Sequence, residues 1–116
     1  MISQVNRFHG HNSLSLVYRK GVSVSLYQVS LKYLPIKPEK PYRLSIVVSR
    51  KVDKSAVVRN RIRRRIYEAM RLKHSKLNKN VDIVVTVHNK QLATMKSTEL
   101  NELINELLIK SSLIEQ

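Results

Sequence analysis

The stretch at residues 49–71, SRKVDKSAVVRNRIRRRIYEAMR, constrains the fold more than any other part of the chain. It holds nine Lys or Arg residues against two acids, a density typical of a solvated tail. Its apolar residues nevertheless recur at spacings of four, four and three, at Val58, Ile62, Ile66 and Ala69. That periodicity is one stripe of an α-helix, for which Ser55 is a suitable N-cap. The stretch is therefore predicted to be an amphipathic helix that holds a cationic face rigidly against a partner.

The polar face of this helix is made of arginine. Between Arg59 and Arg71 there are six Arg and no Lys. A planar guanidinium binds phosphate bidentately and stacks on bases, and Asn60 adds an amide suited to a phosphate, a 2′-hydroxyl or a base edge. A membrane-surface helix is disfavoured because the apolar stripe lacks Trp, Phe and Leu. The face opposite the stripe is predicted to carry Arg63, Arg64, Tyr67 and Arg71, while Arg59 and Arg65 flank the stripe.

Length and charge limit the class of protein. The 116 residues have room for one domain, residues 1–116, and 42% hydrophobic content is enough for a core. Residues 99–116 hold four Glu and one Lys, a net charge of −3, so residues 1–98 carry +17 and the whole chain +14. A body that cationic repels itself unless a polyanion neutralises it. Nucleic acid is the leading partner, ahead of acidic lipid or an acidic protein.

The composition also bears on location. The chain has no Cys, which removes disulfides and thiolate metal sites and fits a reducing compartment. The N-terminus shows no apolar signal-peptide core, and no apolar run approaches membrane-spanning length. We expect a cytoplasmic protein without a membrane partner, and no obligate protein partner is evident.

The remaining patterns predict helices around a small sheet. Periodicity predicts a helix at 13–20, which Gly21 ends in the left-handed conformation. Extended structure is predicted at 22–34, in one or two strands, and further strands at 43–50 and 81–88. A last helix is predicted to be capped by Ser97 or Thr98. The most apolar strand, 81–88, is expected to be central. The fold class is α+β, a two-layer α-β sandwich in the order α-β-β-(β)-α-β-α, with a small, mostly antiparallel sheet. Strand 43–50, the basic helix and strand 81–88 form one βαβ crossover.

The basic stretch carries a family resemblance. Three segments together resemble the signature of the bacterial ribonuclease P protein subunit. They are Ser49-Arg50-Lys51, then, after a seven-residue gap, Arg59-Asn60-Arg61-Ile62-Arg63-Arg64, and finally Glu68-Ala69-Met70-Arg71. Weaker similarity extends from about Asn6 to about Leu113. Two departures are Asp53, where Gly is common, and Ile66-Tyr67, where a basic residue is usual. Although about 98% of βαβ crossovers are right-handed, the resemblance implies a left-handed one.

The resemblance also implies a function and its surfaces. It implies a subunit that binds the catalytic RNA and the 5′ leader of precursor tRNA, and that assists Mg²⁺-dependent endonucleolytic removal of the leader. The catalytic centre and most Mg²⁺ contacts would lie in the RNA, leaving no catalytic or metal-binding residues in the protein. The expected RNA-binding residues are Arg50, Lys51, Arg59, Asn60, Arg61, Arg63, Arg64 and Arg65. The expected leader cleft contains Phe8, Leu14, Tyr18 and Lys32, where Tyr18 either stacks on a base or is a core aromatic.

Three other functions fit parts of the sequence. The charge is equally compatible with a general or ribosomal RNA-binding protein. A DNA-binding regulator would need a second helix at a tight turn or a dimer interface, and the sequence predicts strands on both sides of the basic helix instead. A protein-only nuclease lacks support, because the sequence shows neither paired acids for a two-metal site nor a Gly-rich phosphate loop. His9 and His11 alone make a poor metal site, with no carboxylate nearby.

Overall fold

A computed structural model of the chain describes residues 11–36, 42–73, 76–77 and 80–114, with side chains from Leu14 onward. The helices are α1 (His11–Lys20), α2 (Ala56–Arg71) and α3 (Ser97–Lys110), and the strands are β1 (Val22–Ser25), β2 (Val29–Pro35), β3 (Arg43–Val47) and β4 (Val81–Val87). A short 3₁₀ turn, Lys90–Ala93, precedes α3. The predicted α+β class and element order are confirmed.

One sheet joins the four strands in the order β1-β2-β4-β3. The first two neighbouring pairs are antiparallel and the β3–β4 pair is parallel, so α2 forms the crossover between parallel strands. The predicted extended stretch at 22–34 is a hairpin, closed where Leu26 N donates to Val29 O at 2.9 Å. Strand β4 is interior, as its composition predicts, and all of its residues except Thr86 are buried.

The core lies mainly on one face of the sheet. Helices α2 and α3 cover that face, where buried residues from the sheet and both helices meet, among them Leu31, Ile83, Ile62, Ile66, Ile104 and Leu107. Helix α1 packs on the opposite face, where Val17 meets Val84 with Leu14, Leu34 and Val47 around them. On this second face, Ser23 and Ser25 of β1 are exposed beyond α1.

An ion pair links the two parallel strands. Arg43 of β3 and Asp82 of β4 are register partners. The guanidinium donates from Nε to Oδ1 at 2.7 Å and from Nη2 to Oδ2 at 2.6 Å. Asp82 is buried, and its hydrogen bonds raise the pKa of Arg43 above the usual range. The pair therefore compensates for a charge inside an otherwise apolar strand.

Two predicted boundaries and one predicted backbone conformation are wrong. Strand β3 ends at Val47 instead of residue 50, since Val52 N donates to Ser49 O at 3.0 Å and turns the chain. Helix α3 has Lys96 at its N-cap position, without a side-chain cap, so the predicted caps lie inside the helix. Gly21 follows α1 without a positive φ. A Cβ there would lie 2.4 Å from Val17 O, so close backbone approach, not a left-handed turn, requires glycine.

Candidate nucleic-acid interface

The N-terminus of α2 is fixed by the loop before it. Ser55, the predicted N-cap, accepts from Val58 N at 3.4 Å, and its own N donates to Asp53 Oδ1 at 2.8 Å. Arg59 reaches back and donates through Nη1 to the carbonyl oxygens of Asp53 and Lys54, at 3.1 and 3.0 Å. Arg59 is half-buried and therefore stabilises the loop as well as adding charge to the surface.

The buried face of α2 is wider than the sequence stripe. It contains Ile62, Ile66 and Ala69 as predicted, and also Tyr67 and Met70. Tyr67, predicted on the polar face, is 4% exposed, so that placement is wrong. Helix α2 contacts β3, α3 and the 3₁₀ turn, and packing on several sides buries a broader arc than one stripe.

Arg65 makes contacts within the chain. Its Nη1 donates to Leu92 O at 2.5 Å, and its Nη2 donates to Met95 O. Both acceptors are main-chain carbonyls flanking the end of the 3₁₀ turn. Arg65, like Arg59, thus gives guanidinium donors to main-chain carbonyls of the fold.

The outward face of α2 presents Asn60, Arg61 and Arg64, which are all exposed. Within the described part of the chain, the Arg61 and Arg64 side chains have no hydrogen-bond or ion-pair partner. They lie three residues apart and so project from the same side of the helix. Arg63 is half-buried and donates to Asn60 Oδ1, which orients the amide.

Arg71, at the end of α2, is neutralised by Glu68. Its Nη2 lies 2.5 Å from Glu68 Oε1. These hydrogen bonds lower the pKa of the Glu68 carboxyl and raise that of Arg71. The cationic surface of the helix is therefore concentrated between Arg59 and Arg65.

A second group of cations lies in the loop that precedes α2. Arg50, Lys51 and Lys54 are exposed and surround a shallow depression of about 540 Å³ in the loop between β3 and α2. We call Arg50, Lys51, Lys54, Asn60, Arg61 and Arg64 the basic surface. Its members come from one loop and the helix that follows, so the fold brings together most of the predicted RNA-binding residues.

The predicted leader cleft lies on the sheet face that carries α1. Phe8 lies outside the described residues. Lys32 Nζ donates to Tyr18 O at 3.0 Å and lies 5.6 Å from the centre of the Tyr18 ring. Tyr18 is 43% exposed, which rules out the core-aromatic alternative, whereas Leu14 is half-buried against Val17 and its neighbours. The structure thus brings an exposed aromatic ring and an ammonium group together.

The sequence interpretation missed polar groups on the same sheet face. Ser25, Ser30 and Thr86 are successive register partners across β1, β2 and β4. Ser30 Oγ lies 2.8 Å from His88 Nε2. The alternation of polar residues within β2 was the available signal, but assigning the row required the strand pairing. Because β3 and β4 are parallel, this end of the face adjoins the loop that carries the basic surface.

The comparisons with known proteins agree with this geometry. The family model described as Ribonuclease P matches residues 2–112. The chain belongs to the ribonuclease P protein family. Proteins of this family act with the ribonuclease P RNA in tRNA processing, which makes the chain a subunit of an RNA-processing endoribonuclease.

Curated relatives support membership along the chain. It is 38% identical over 87 residues to the ribonuclease P protein component of Pseudanabaena sp. (strain PCC 6903), covering 75% of each. It is 32% identical over 117 residues to that of Synechococcus elongatus, covering 97% of this chain and 95% of the relative.

Solved structures of family members have the same fold. The Staphylococcus aureus RNase P protein superposes with a TM-score of 0.83 at 25% identity, covering 95% of this chain and 98% of that one. The Thermotoga maritima RNase P protein gives 0.72 at 27% identity, covering 87% and 94%. In the part of the chain that the structure describes, no helix is long and apolar enough to cross a membrane, and no group of three or more His, Asp or Glu side chains could hold a metal ion.

Proposed function

We propose that this chain binds the ribonuclease P RNA through the basic surface and the 5′ leader of precursor tRNA through the cleft beside α1. In this proposal it assists Mg²⁺-dependent endonucleolytic removal of the leader in the cytoplasm, and the catalytic centre lies in the RNA. The observation that carries the proposal is the pair Arg61 and Arg64, exposed on a rigid helix without partners among the described residues.

The basic surface is suited to a folded RNA. Its guanidinium groups project from a capped helix, so little ordering is needed before they contact phosphates. Each neutralised phosphate releases condensed counterions, which strengthens binding at low salt. Placing cations between catalytic RNA and substrate also offsets the repulsion between their backbones. Mg²⁺, bound mainly by the RNA, would supply the hydrolytic chemistry.

The cleft is suited to an unpaired strand. Tyr18 offers an exposed ring for stacking, and Lys32 retains two ammonium donors beyond the one it gives to Tyr18 O. Ser30 and Thr86 add hydroxyl groups farther along the same face. Stacking and charge together bind single strands without demanding one sequence. Since this face adjoins the basic surface, a strand in the cleft lies beside RNA held by α2.

Reconstitution with a bacterial ribonuclease P RNA tests the proposal. The chain is mixed with the RNA, and leader removal is followed at limiting Mg²⁺ and about 0.15 M salt, near physiological screening. We expect stimulation of cleavage and tighter binding of precursor tRNA than of mature tRNA. Arg61→Ala and Arg64→Ala are compared in the same assay with a control variant, Lys110→Ala, which removes an exposed lysine at the end of α3.

Three outcomes would contradict the proposal. Absence of stimulation would remove the ribonuclease P role. Equal binding of precursor, mature and unrelated RNAs would favour the general RNA-binding alternative. Cleavage by the purified chain without added RNA would indicate a protein-only nuclease.

A further inference from the structure

The 3₁₀ turn is held in place by three separate attachments. Asn89 caps it by accepting from Gln91 N at 2.8 Å, and Leu92 is fully buried in the core. Arg65 of α2 completes the set by donating to Leu92 O and Met95 O. A single 3₁₀ turn has poor hydrogen-bond geometry and is not stable alone. Its position therefore depends on these attachments.

The attached turn presents polar side chains beside the basic surface. Lys90, Gln91 and Thr94 are exposed, and together with Arg61 they line a groove of about 290 Å³ between the turn and the start of α2. Gln91 and Thr94 also line a second groove, of about 450 Å³, that reaches Gln28 and Lys96. The turn is thus a polar ridge, with Arg61 beside the first groove and the oppositely charged Lys96 and Glu99 beside the second.

The donors in the first groove match one kind of ligand. A guanidinium, an ammonium, an amide and a hydroxyl are the groups that contact phosphate oxygens and ribose hydroxyls of RNA. One acid, Asp53, also lines the groove, and its Oδ1 accepts from Ser55 N. Val58 and Ala93 form the apolar floor of the groove, which is open to solvent, so the polar donors stand at its rim where a solvated backbone could reach them.

We propose that the ridge formed by Lys90, Gln91 and Thr94 is a further RNA-backbone subsite that continues the basic surface past Arg61. Arg65 acts in this subsite as a positioning residue, because it holds the ridge through main-chain carbonyls and does not itself contact the RNA. The inference rests on the proposed RNA-binding function and extends it to a segment outside the arginine-rich helix.

Affinity for the ribonuclease P RNA, measured against salt, tests the subsite. Lys90→Ala/Gln91→Ala should weaken binding about tenfold and lower the salt slope by about one, as expected for one lost phosphate contact. Lys110→Ala, which also removes an exposed lysine, should change neither the affinity nor the salt slope. Asp53→Asn keeps an acceptor for Ser55 N and removes a negative charge, so binding should tighten about threefold. If the wild-type chain binds the RNA and the double variant binds it equally well, the subsite is overturned and the proposed function remains intact.

A double-mutant cycle tests the role of Arg65. Arg65→Met should speed hydrogen exchange at the Thr94 and Met95 amides, which donate to Gln91 O at 3.1 and 2.8 Å, and should weaken RNA binding. In the Lys90→Ala/Gln91→Ala background, the same change should weaken binding less than about twofold. Full additivity would show that Arg65 contacts the RNA directly and would overturn the positioning role. If the wild-type chain does not bind the RNA, the proposed function itself fails.

Discussion

Arg43 and Asp82 face each other across the parallel strands, and two hydrogen bonds of 2.7 and 2.6 Å join the guanidinium to the carboxylate. Asp82 is 4% exposed, whereas the Arg43 side chain is 37% exposed. The acid is thus desolvated and depends on the arginine for compensation. The pair also links the strands on either side of the α2 crossover.

Arg43→Met should destabilise the fold by about 2 kcal/mol, because the buried Asp82 loses charged hydrogen bonds. Urea unfolding followed by circular dichroism measures this difference. Arg19→Met on α1, which removes an exposed arginine, is the control and should change stability by less than about 0.5 kcal/mol. A similar loss in both variants would show that the pair is not a specific contributor.

Adjacent arginines on α2 should differ in their contribution to stability. Arg65→Met should cost about 1–3 kcal/mol of stability, because two main-chain carbonyls lose a charged donor. Arg64→Met should leave stability within about 0.5 kcal/mol and should weaken binding of the ribonuclease P RNA, because its side chain is exposed. Unfolding and RNA titration of the two purified variants check both statements. The interpretation of Arg65 is wrong if its substitution leaves stability unchanged.

RNA binding should depend steeply on salt. Since the basic surface contacts several phosphates, affinity should fall by orders of magnitude as salt rises, and Arg61→Ala or Arg64→Ala should each reduce the slope by about 0.7–0.9. A filter-binding or fluorescence titration at several salt concentrations gives the slopes. Salt-independent affinity would contradict an interface made of phosphate contacts.

Tyr18 should contribute to leader recognition by stacking. Tyr18→Ala should reduce the preference for precursor over mature tRNA about fivefold or more, the value of one lost stacking contact. Tyr18→Phe keeps the ring and should retain the preference. Competition binding with the assembled holoenzyme measures it. Equal behaviour of the two variants would exclude stacking by this ring.

Tyr42 should make the fold sensitive to alkali. Burial raises the pKa of its phenol, so the folded state resists ionisation more than the unfolded state does. The sign follows from linkage: stability is intact below the ordinary tyrosine pKa of about 10 and falls as pH rises through the higher folded value. Tyr42→Phe should lose less stability than the wild type over that range, as urea unfolding at successive pH values will show.

The sequence predicts the secondary structure better than it predicts the partners of charged side chains. Helix α2 follows from its apolar period, and the central position of β4 follows from its composition. Tyr67 was misplaced because a single stripe assumes one packing surface, whereas α2 contacts several elements. The Arg43–Asp82 pair depends on the strand register, which is a long-range property. The acceptors of Arg65 are main-chain carbonyls, which every residue has, so the residue types alone do not show which carbonyl accepts the hydrogen bond.

At Gly21 the C-terminal end of α1 lies so close to β2 that an added Cβ would be 3.0 Å from Tyr33 O. Main-chain atoms, not side chains, therefore set how far the helix stands from the sheet at that point. Substitutions at Tyr18 or Lys32 should therefore alter what the cleft binds without moving α1 away from β2 at Gly21.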